Sequence, residues 1–219
     1  VHDEVFKAVS EKNAGVFLLH GVTGSGKTSV FEKLIHNTVR LGRRAMLLIP
    51  EIGLTPQVLK RFRALFGERV AVIHSGLSLG QRLDEYKRIK RGDADIIIGT
   101  RSAVFAPADN IGLIIIDEEG ERSYKSDNSP RYHAHDVAKQ RCAYHGATLL
   151  LASATPSIES YYLAERGVYK LLEMKNRYNS ASLPDVSIVD MNLERISGNP
   201  TEFSQQLIDE VNSNLKRGE

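Results

Sequence analysis

Val16-Phe17-Leu18-Leu19-His20-Gly21-Val22-Thr23-Gly24-Ser25-Gly26-Lys27-Thr28 is the stretch on which the fold turns. The aliphatic run Val16–Leu19 reads as a strand buried on both faces. Gly21–Thr28 satisfies G-x-x-x-x-G-K-[ST] in full, and Val30, Leu34 and Ile35 behind it keep a helical period. In such a loop the glycines let successive backbone N–H groups turn inward onto phosphate oxygens, and the next helix adds the positive end of its dipole. Lys27 supplies a point charge to the β- and γ-phosphates, and the Thr28 hydroxyl ligates Mg²⁺. Gly21, Thr23, Gly24, Ser25, Gly26, Lys27, Thr28 and Ser29 are therefore the candidate nucleotide-binding residues.

Working outward, five more short aliphatic runs follow: Ala45–Ile49, Val70–Ile73, Ile96–Ile98, Leu113–Ile116 and Thr148–Leu151. Helical patterns separate them. Leu54–Gly67 has Thr55 as N-cap, Pro56 at the first helical position and Gly67 as the stop. Leu79–Arg91, Ala134–His145 and Ser157–Arg166 are each closed by a glycine. This alternation predicts an α/β fold, a doubly wound, mostly parallel sheet with helices on both faces. The predicted lobe occupies 1–175. From 176 to 219 the texture changes to a connecting segment: Asn176–Ser182 polar, Val186–Val189 a candidate strand, Ser197–Thr201 a turn and Phe203–Leu215 a helix. That segment reads as the start of a second lobe that is cut short.

The partner of a phosphate loop should be a strand ending in Asp, and Leu113-Ile114-Ile115-Ile116-Asp117-Glu118-Glu119 supplies one. Asp117 is placed to hold Mg²⁺ and Glu118 to orient and deprotonate the attacking water. Lys27, Asp117 and Glu118 are thus the catalytic candidates, and Thr28 and Asp117 the metal ligands. Three more strings close predicted strands: PEIGLTPQ (50–57), GTRSA (99–103) and SATPS (153–157). Ligands of open α/β sheets bind at that edge. Ser153 and Thr155 offer hydroxyls there. Between Gly120 and Ala138, basic and aromatic residues interleave (Arg122, Tyr124, Lys125, Arg131, Tyr132), as suits stacked bases and phosphates of a single strand. The bland alternative is a solvated loop with half-buried tyrosines. His133 and His135 lack a third metal ligand and fit helix capping or surface exposure better.

The chain has 219 residues, 42% hydrophobic and 26% charged, enough for one real core. No apolar run nears the ~18 residues of a membrane span, and Val1–Ser10 is too charged for a secretory signal. Cys142, the single cysteine, excludes an internal disulfide and a cysteine zinc site, in keeping with a reducing cytoplasm. The net charge of +2 hides an uneven distribution: residues 40–92 hold 12 Lys+Arg and 4 Asp+Glu. A nucleic-acid partner is therefore permitted by the charge pattern.

GVTGSGKT, PEIGLTPQ, HSGLS (74–78), GTRSAVFAP (99–107), DEEGERSYK (117–125), PRYHAHDVA (130–138) and SATPSIES (153–160) stand in order along nearly the whole chain. Together they resemble the PriA family, superfamily-2 bacterial primosomal helicases. The resemblance implies a RecA-like P-loop NTPase domain, the first, ATP-binding lobe of an ATP-dependent 3′–5′ DNA helicase that acts in replication restart. It implies single-stranded and forked DNA and other primosome or replisome proteins as partners, and zinc only in the second lobe. It makes Thr55, Arg101, Tyr124, Lys125, Arg131 and Tyr132 candidate DNA contacts, and Gly120, Ser153, Ala154 and Thr155 the string that couples DNA to hydrolysis. Because the second lobe supplies the arginine finger, this chain alone is expected to be a weak motor. Gly120 departs from the family, which has histidine there, and Val5 stands where such helicases carry an adenine-reading glutamine. The rivals are a lobe of another superfamily-2 translocase and a non-catalytic DNA- or partner-binding module with a decayed motor.

Overall fold

The computed structural model describes residues 1–177 and 186–218. The chain divides into two compact units, Val1–Ser180 and Ala181–Glu219.

Seven strands build the first unit: β1 (Val16–Gly21), β2 (Arg44–Leu48), β3 (Val70–Ile73), β4 (Ile96–Gly99), β5 (Ile111–Asp117), β6 (Thr148–Ser153) and β7 (Lys170–Met174). They pair in parallel in the order β3-β4-β2-β5-β6-β1-β7. Six helices cover them: α1 (His2–Ser10), α2 (Lys27–Arg40), α3 (Pro56–Phe66), α4 (Leu79–Arg91), α5 (Ala134–His145) and α6 (Ile158–Glu165). Alternate side chains of each strand go to opposite faces. Val5 and Val9 of α1, Phe31, Leu34 and Ile35 of α2 and Phe62 of α3 pack on Leu19, Leu47, Ile98 and Ile115. Ile89 of α4, Ala138 and Cys142 of α5 and Ala164 of α6 pack on Leu18, Met46, Ile97 and Ile116. Both faces of the sheet are therefore covered, which is why its central strands carry aliphatic residues without alternation.

Helix boundaries follow local chemistry. The Thr55 hydroxyl accepts from Val58 N, with Pro56 opening α3. Ser78 and Gln81 form a reciprocal capping box on α4, and Gly92 closes it in the left-handed region. Two elements escape the sequence pattern. β7 is an edge strand with one buried position, Leu172, so it presents no apolar run. The charged α1 hides its amphipathic face, Val5, Ala8 and Val9, among polar residues.

The second unit holds α7 (Met191–Ile196), capped by Asp190, and α8 (Gln205–Arg217), capped by Ser204. The expected strand at Val186–Val189 is not formed: Val186 and Ile188 are exposed and carry no ladder among the described residues. Part of the expected loop 176–182 lies outside the described residues. No helix among the described residues is long and apolar enough to cross a membrane.

Candidate nucleotide site and the loops around it

Because every strand runs the same way, all carboxyl ends open on one edge. The register puts His20 opposite Ser153 and Asp117 opposite Ala152. The phosphate loop, the Asp117–Glu119 turn and the Ser153–Ser157 turn are thereby neighbours. Val22, Thr23, Gly24, Ser25, Gly26, Lys27, Thr28, Ser29, Arg61, Asp117 and Glu118 line a cleft of about 420 Å³. Gly26 is the N-cap of α2 at φ 90°, a conformation a side chain would resist.

Lys27 Nζ donates to Gly21 O at 2.9 Å and stands 3.5 Å from Glu118 Oε1. Glu118 Oε2 accepts from Ser153 Oγ at 3.0 Å, and Ser153 Oγ accepts from Thr155 N at 3.0 Å. Three separate strings thus meet on one carboxylate. Glu118 sits at φ 45°, a left-handed backbone that a non-glycine residue keeps only when its surroundings hold it. Burial, with Glu118 next to it, pushes the Asp117 carboxyl up to about 6, against the pull of Lys27. A cation beside the two carboxylates would favour their ionised form. The buried Ser25 hydroxyl has no hydrogen-bond partner among the described residues. An anionic ligand bearing a cation satisfies both, so the residues present fit a nucleotide phosphate with its metal.

Gly120 lies against the Ser153–Ser157 turn. A Cβ there would stand 3.2 Å from Thr155 O and 3.4 Å from Ser157 N, so the turn is seated directly on its backbone. Ala154 is half-buried and Thr155 exposed. The neighbouring Glu119, unremarked in the sequence, is buried and accepts from Ser157 N, Ser157 Oγ and Ser160 Oγ at 2.7, 3.1 and 2.8 Å. Its sequence signal is the Ser157-x-x-Ser160 spacing at the start of α6, which reads as capping and gives no hint of the carboxylate.

The DNA candidates divide. Lys125 and Arg131 are exposed, and Tyr132 is half-buried against Phe105, with ring centroids 4.8 Å apart. Tyr124 is corrected: it is fully buried, and its hydroxyl reaches Asp117 O at 2.6 Å and Leu48 O at 3.2 Å, so no ring face is open to a base. Burial also holds its phenol far above the usual tyrosine range. Arg101 is already engaged. It donates to Ser123 O and Lys125 O and lies 5.8 Å over the Tyr132 ring, bracing the loop from within. Thr55 is spent on its cap. Val5 is buried in the core under α1 and presents nothing to a base. His133 caps α5 by accepting from His135 N. No group of three His, Cys, Asp or Glu able to hold a metal occurs among the described residues. Cys142 is a core residue whose thiol burial pushes up to about 12, which disarms it as a nucleophile.

The DEAD/DEAH box helicase family matches residues 1–163. Replication restart protein PriA of Bacillus subtilis is 49% identical over 204 residues, covering 93% of this chain and 25% of that protein. The Synechocystis PriA is 47% identical over 195 residues, 87% of this chain and 24% of that protein. The chain spans about a quarter of the length of these curated relatives. Among solved structures, helicase MrfA bound to DNA and AMPPNP superposes with TM-score 0.57 at 16% identity, over 80% of this chain and 26% of that one. The Pyrococcus furiosus Hef helicase domain gives 0.55 at 18%, over 80% and 37%. The fold is that of a RecA-like helicase domain, and the chain belongs to the DEAD/DEAH box helicase family.

Proposed function

We infer that this chain is the ATP- and Mg²⁺-binding lobe of a 3′–5′ DNA helicase that works in replication restart. The observation that carries the reading is the meeting of Lys27, Glu118 and Ser153 at the carboxyl edge of the sheet, in a chain so similar to PriA proteins. Lys27 would neutralise the β- and γ-phosphates. Thr28 and Asp117 would hold the metal, which supplies Lewis-acid neutralisation of phosphoryl charge. Glu118 would orient water, with Ser153 fixing its second oxygen. Single-stranded or forked DNA would run over the exposed basic residues of the 122–131 loop, and primosome proteins would be the wider partners.

Lys27 and Arg61 are the cations in the cleft, and Arg61 is paired with Glu32. Hydrolysis therefore needs a further cation from a facing lobe, an arginine finger worth about 10³–10⁵ in rate. The test is ATP titration of this chain and DNA-stimulated turnover by the two-lobe protein. Wild type should bind the nucleotide and hydrolyse it slowly by itself, and Lys27→Ala should lose binding by about 2–3 kcal/mol, the worth of a charge-assisted contact. Unchanged ATP binding by Lys27→Ala would overturn the site assignment.

A further inference from the structure

Among the described residues that line the phosphate cleft, Arg61 alone comes from outside the phosphate loop, the start of α2 and the turn after β5. Local chemistry sets its place: with Thr55 capping α3 and Pro56 opening it, Arg61 falls on the second turn of that helix. Glu32 of α2 binds its guanidinium side-on. Nε donates to Oε1, and Nη2 donates to Oε2 at 2.9 Å. Glu32 itself stands one helical turn beyond Thr28, the candidate metal ligand.

Helix packing does not require this pair. Phe31 of α2 and Phe62 of α3 are already buried in one core, and an ion pair with a half-exposed arginine adds little to stability. The exposure is uneven: the Glu32 side chain is 15% exposed and that of Arg61 53%. The carboxylate takes two of the guanidinium's five N–H groups. Nη1 has no hydrogen-bond partner among the described residues. The planar fork is thus held along one edge, and its other end keeps donors in a fixed geometry. Because Glu32 cancels the charge, Arg61 offers the cleft directed N–H groups and little net field.

We propose that Arg61 is a further nucleotide-contacting residue, whose Nη1 end donates to a phosphate oxygen of the bound triphosphate while Glu32 holds its Nε edge. A phosphate is the part of the ligand that fits, since the cleft is otherwise lined by the phosphate loop, Lys27 and the metal candidates Thr28 and Asp117. The contact adds a hydrogen bond and no second net charge, so the need for a cation from a facing lobe stands. It rests on the functional reading given above and names one more residue of that same site.

The test uses the full-length protein that contains this lobe, titrated with ATP and Mg²⁺ and with inorganic tripolyphosphate as competitor. Arg61→Ala should weaken both ligands by about tenfold, the worth of one hydrogen bond to a charged group, and leave the unfolding midpoint close to wild type. Glu32→Ala leaves an uncompensated cation in the cleft and should bind both ligands at least as tightly as wild type. A mere strut between α2 and α3 is damaged equally from either end, so equal losses in the two variants would overturn the contact. Unchanged ATP affinity in Arg61→Ala would overturn it as well. So would a loss for ATP with none for tripolyphosphate, which would put Arg61 on the nucleoside. Those three results leave the functional reading standing. A wild-type protein that binds no ATP would overturn that reading, and the contact with it.

Discussion

Tyr124 shows how a residue's role changes once its surroundings are known. The basic and aromatic stretch reads as a place for bases, yet its central ring is in the core. One O–H can donate to one oxygen at a time, and Asp117 O at 2.6 Å is the nearer of its two acceptors. Tyr124→Phe should therefore cost about 1–2 kcal/mol of stability, read by thermal or denaturant unfolding, and leave DNA affinity unchanged. A loss of DNA affinity in a protein of wild-type stability would return the ring to the interface. His135 gives a pH dependence. Burial, then His133, pulls it down to about 4 from an ordinary 6.5. Between those values the unfolded chain binds more protons, so stability rises with pH across the window and is lost as pH falls. The loss is about 2 kcal/mol at pH 5. Asp117, held near 6, acts with the opposite sign, since acid relieves its burial. Comparing unfolding at pH 7 and pH 5 isolates the histidine: His135→Gln should show the smaller acid loss, and equal losses would contradict the burial effect.

At the scale of elements, helix ends were legible because their signals are local. Thr55-Pro56 and the closing Gly92 and Gly146 need no distant partner to act. Six strands were legible because both faces of the sheet are covered. β7 was not, because it buries one residue in five and its composition gives little away. Nor was Arg43, which the sequence counts among the basic block. It is buried, and its guanidinium donates to Val9 O of the α1 end, Ile111 O of β5 and the His145 and Gly146 carbonyls that close α5. Burial lowers its pKa without removing its charge. Arg43→Ala should cost about 3–5 kcal/mol, because four backbone carbonyls lose their donor. Arg43→Lys should recover little, because a point charge cannot match a planar fork. Urea unfolding of both variants checks this, and a Lys variant of near wild-type midpoint would contradict it.

Across the whole molecule, charge is the property the sequence leaves most ambiguous. Of the basic residues in 40–92, Arg43 is internal, and Arg61, Arg69 and Arg88 are paired with Glu32, Asp95 and Glu85. The field available to a nucleic acid is therefore weaker than the excess of 12 over 4 suggests. Exposed Lys125 and Arg131 remain open to phosphate. Replacing either by Ala should reduce the salt dependence of single-stranded DNA binding by about one in the log–log slope. Arg101→Ala should leave that slope unchanged while loosening the loop it braces, and a slope lowered equally by all three would put Arg101 on the DNA. By itself the sequence determined the phosphate loop, the strand that ends in Asp117 and the parallel α/β order, because these depend on backbone conformation and on a period of burial that neighbours in the chain already share. Tertiary structure alone decided that Ser153 bonds Glu118, that Glu119 holds Ser157 and Ser160, and that Tyr124 and Arg101 serve the interior. Apart from Tyr124 to Asp117, those hydrogen bonds join residues 22 to 76 positions apart, and only the register of β5 against β6 and the seating of the loops bring such partners within reach of one another.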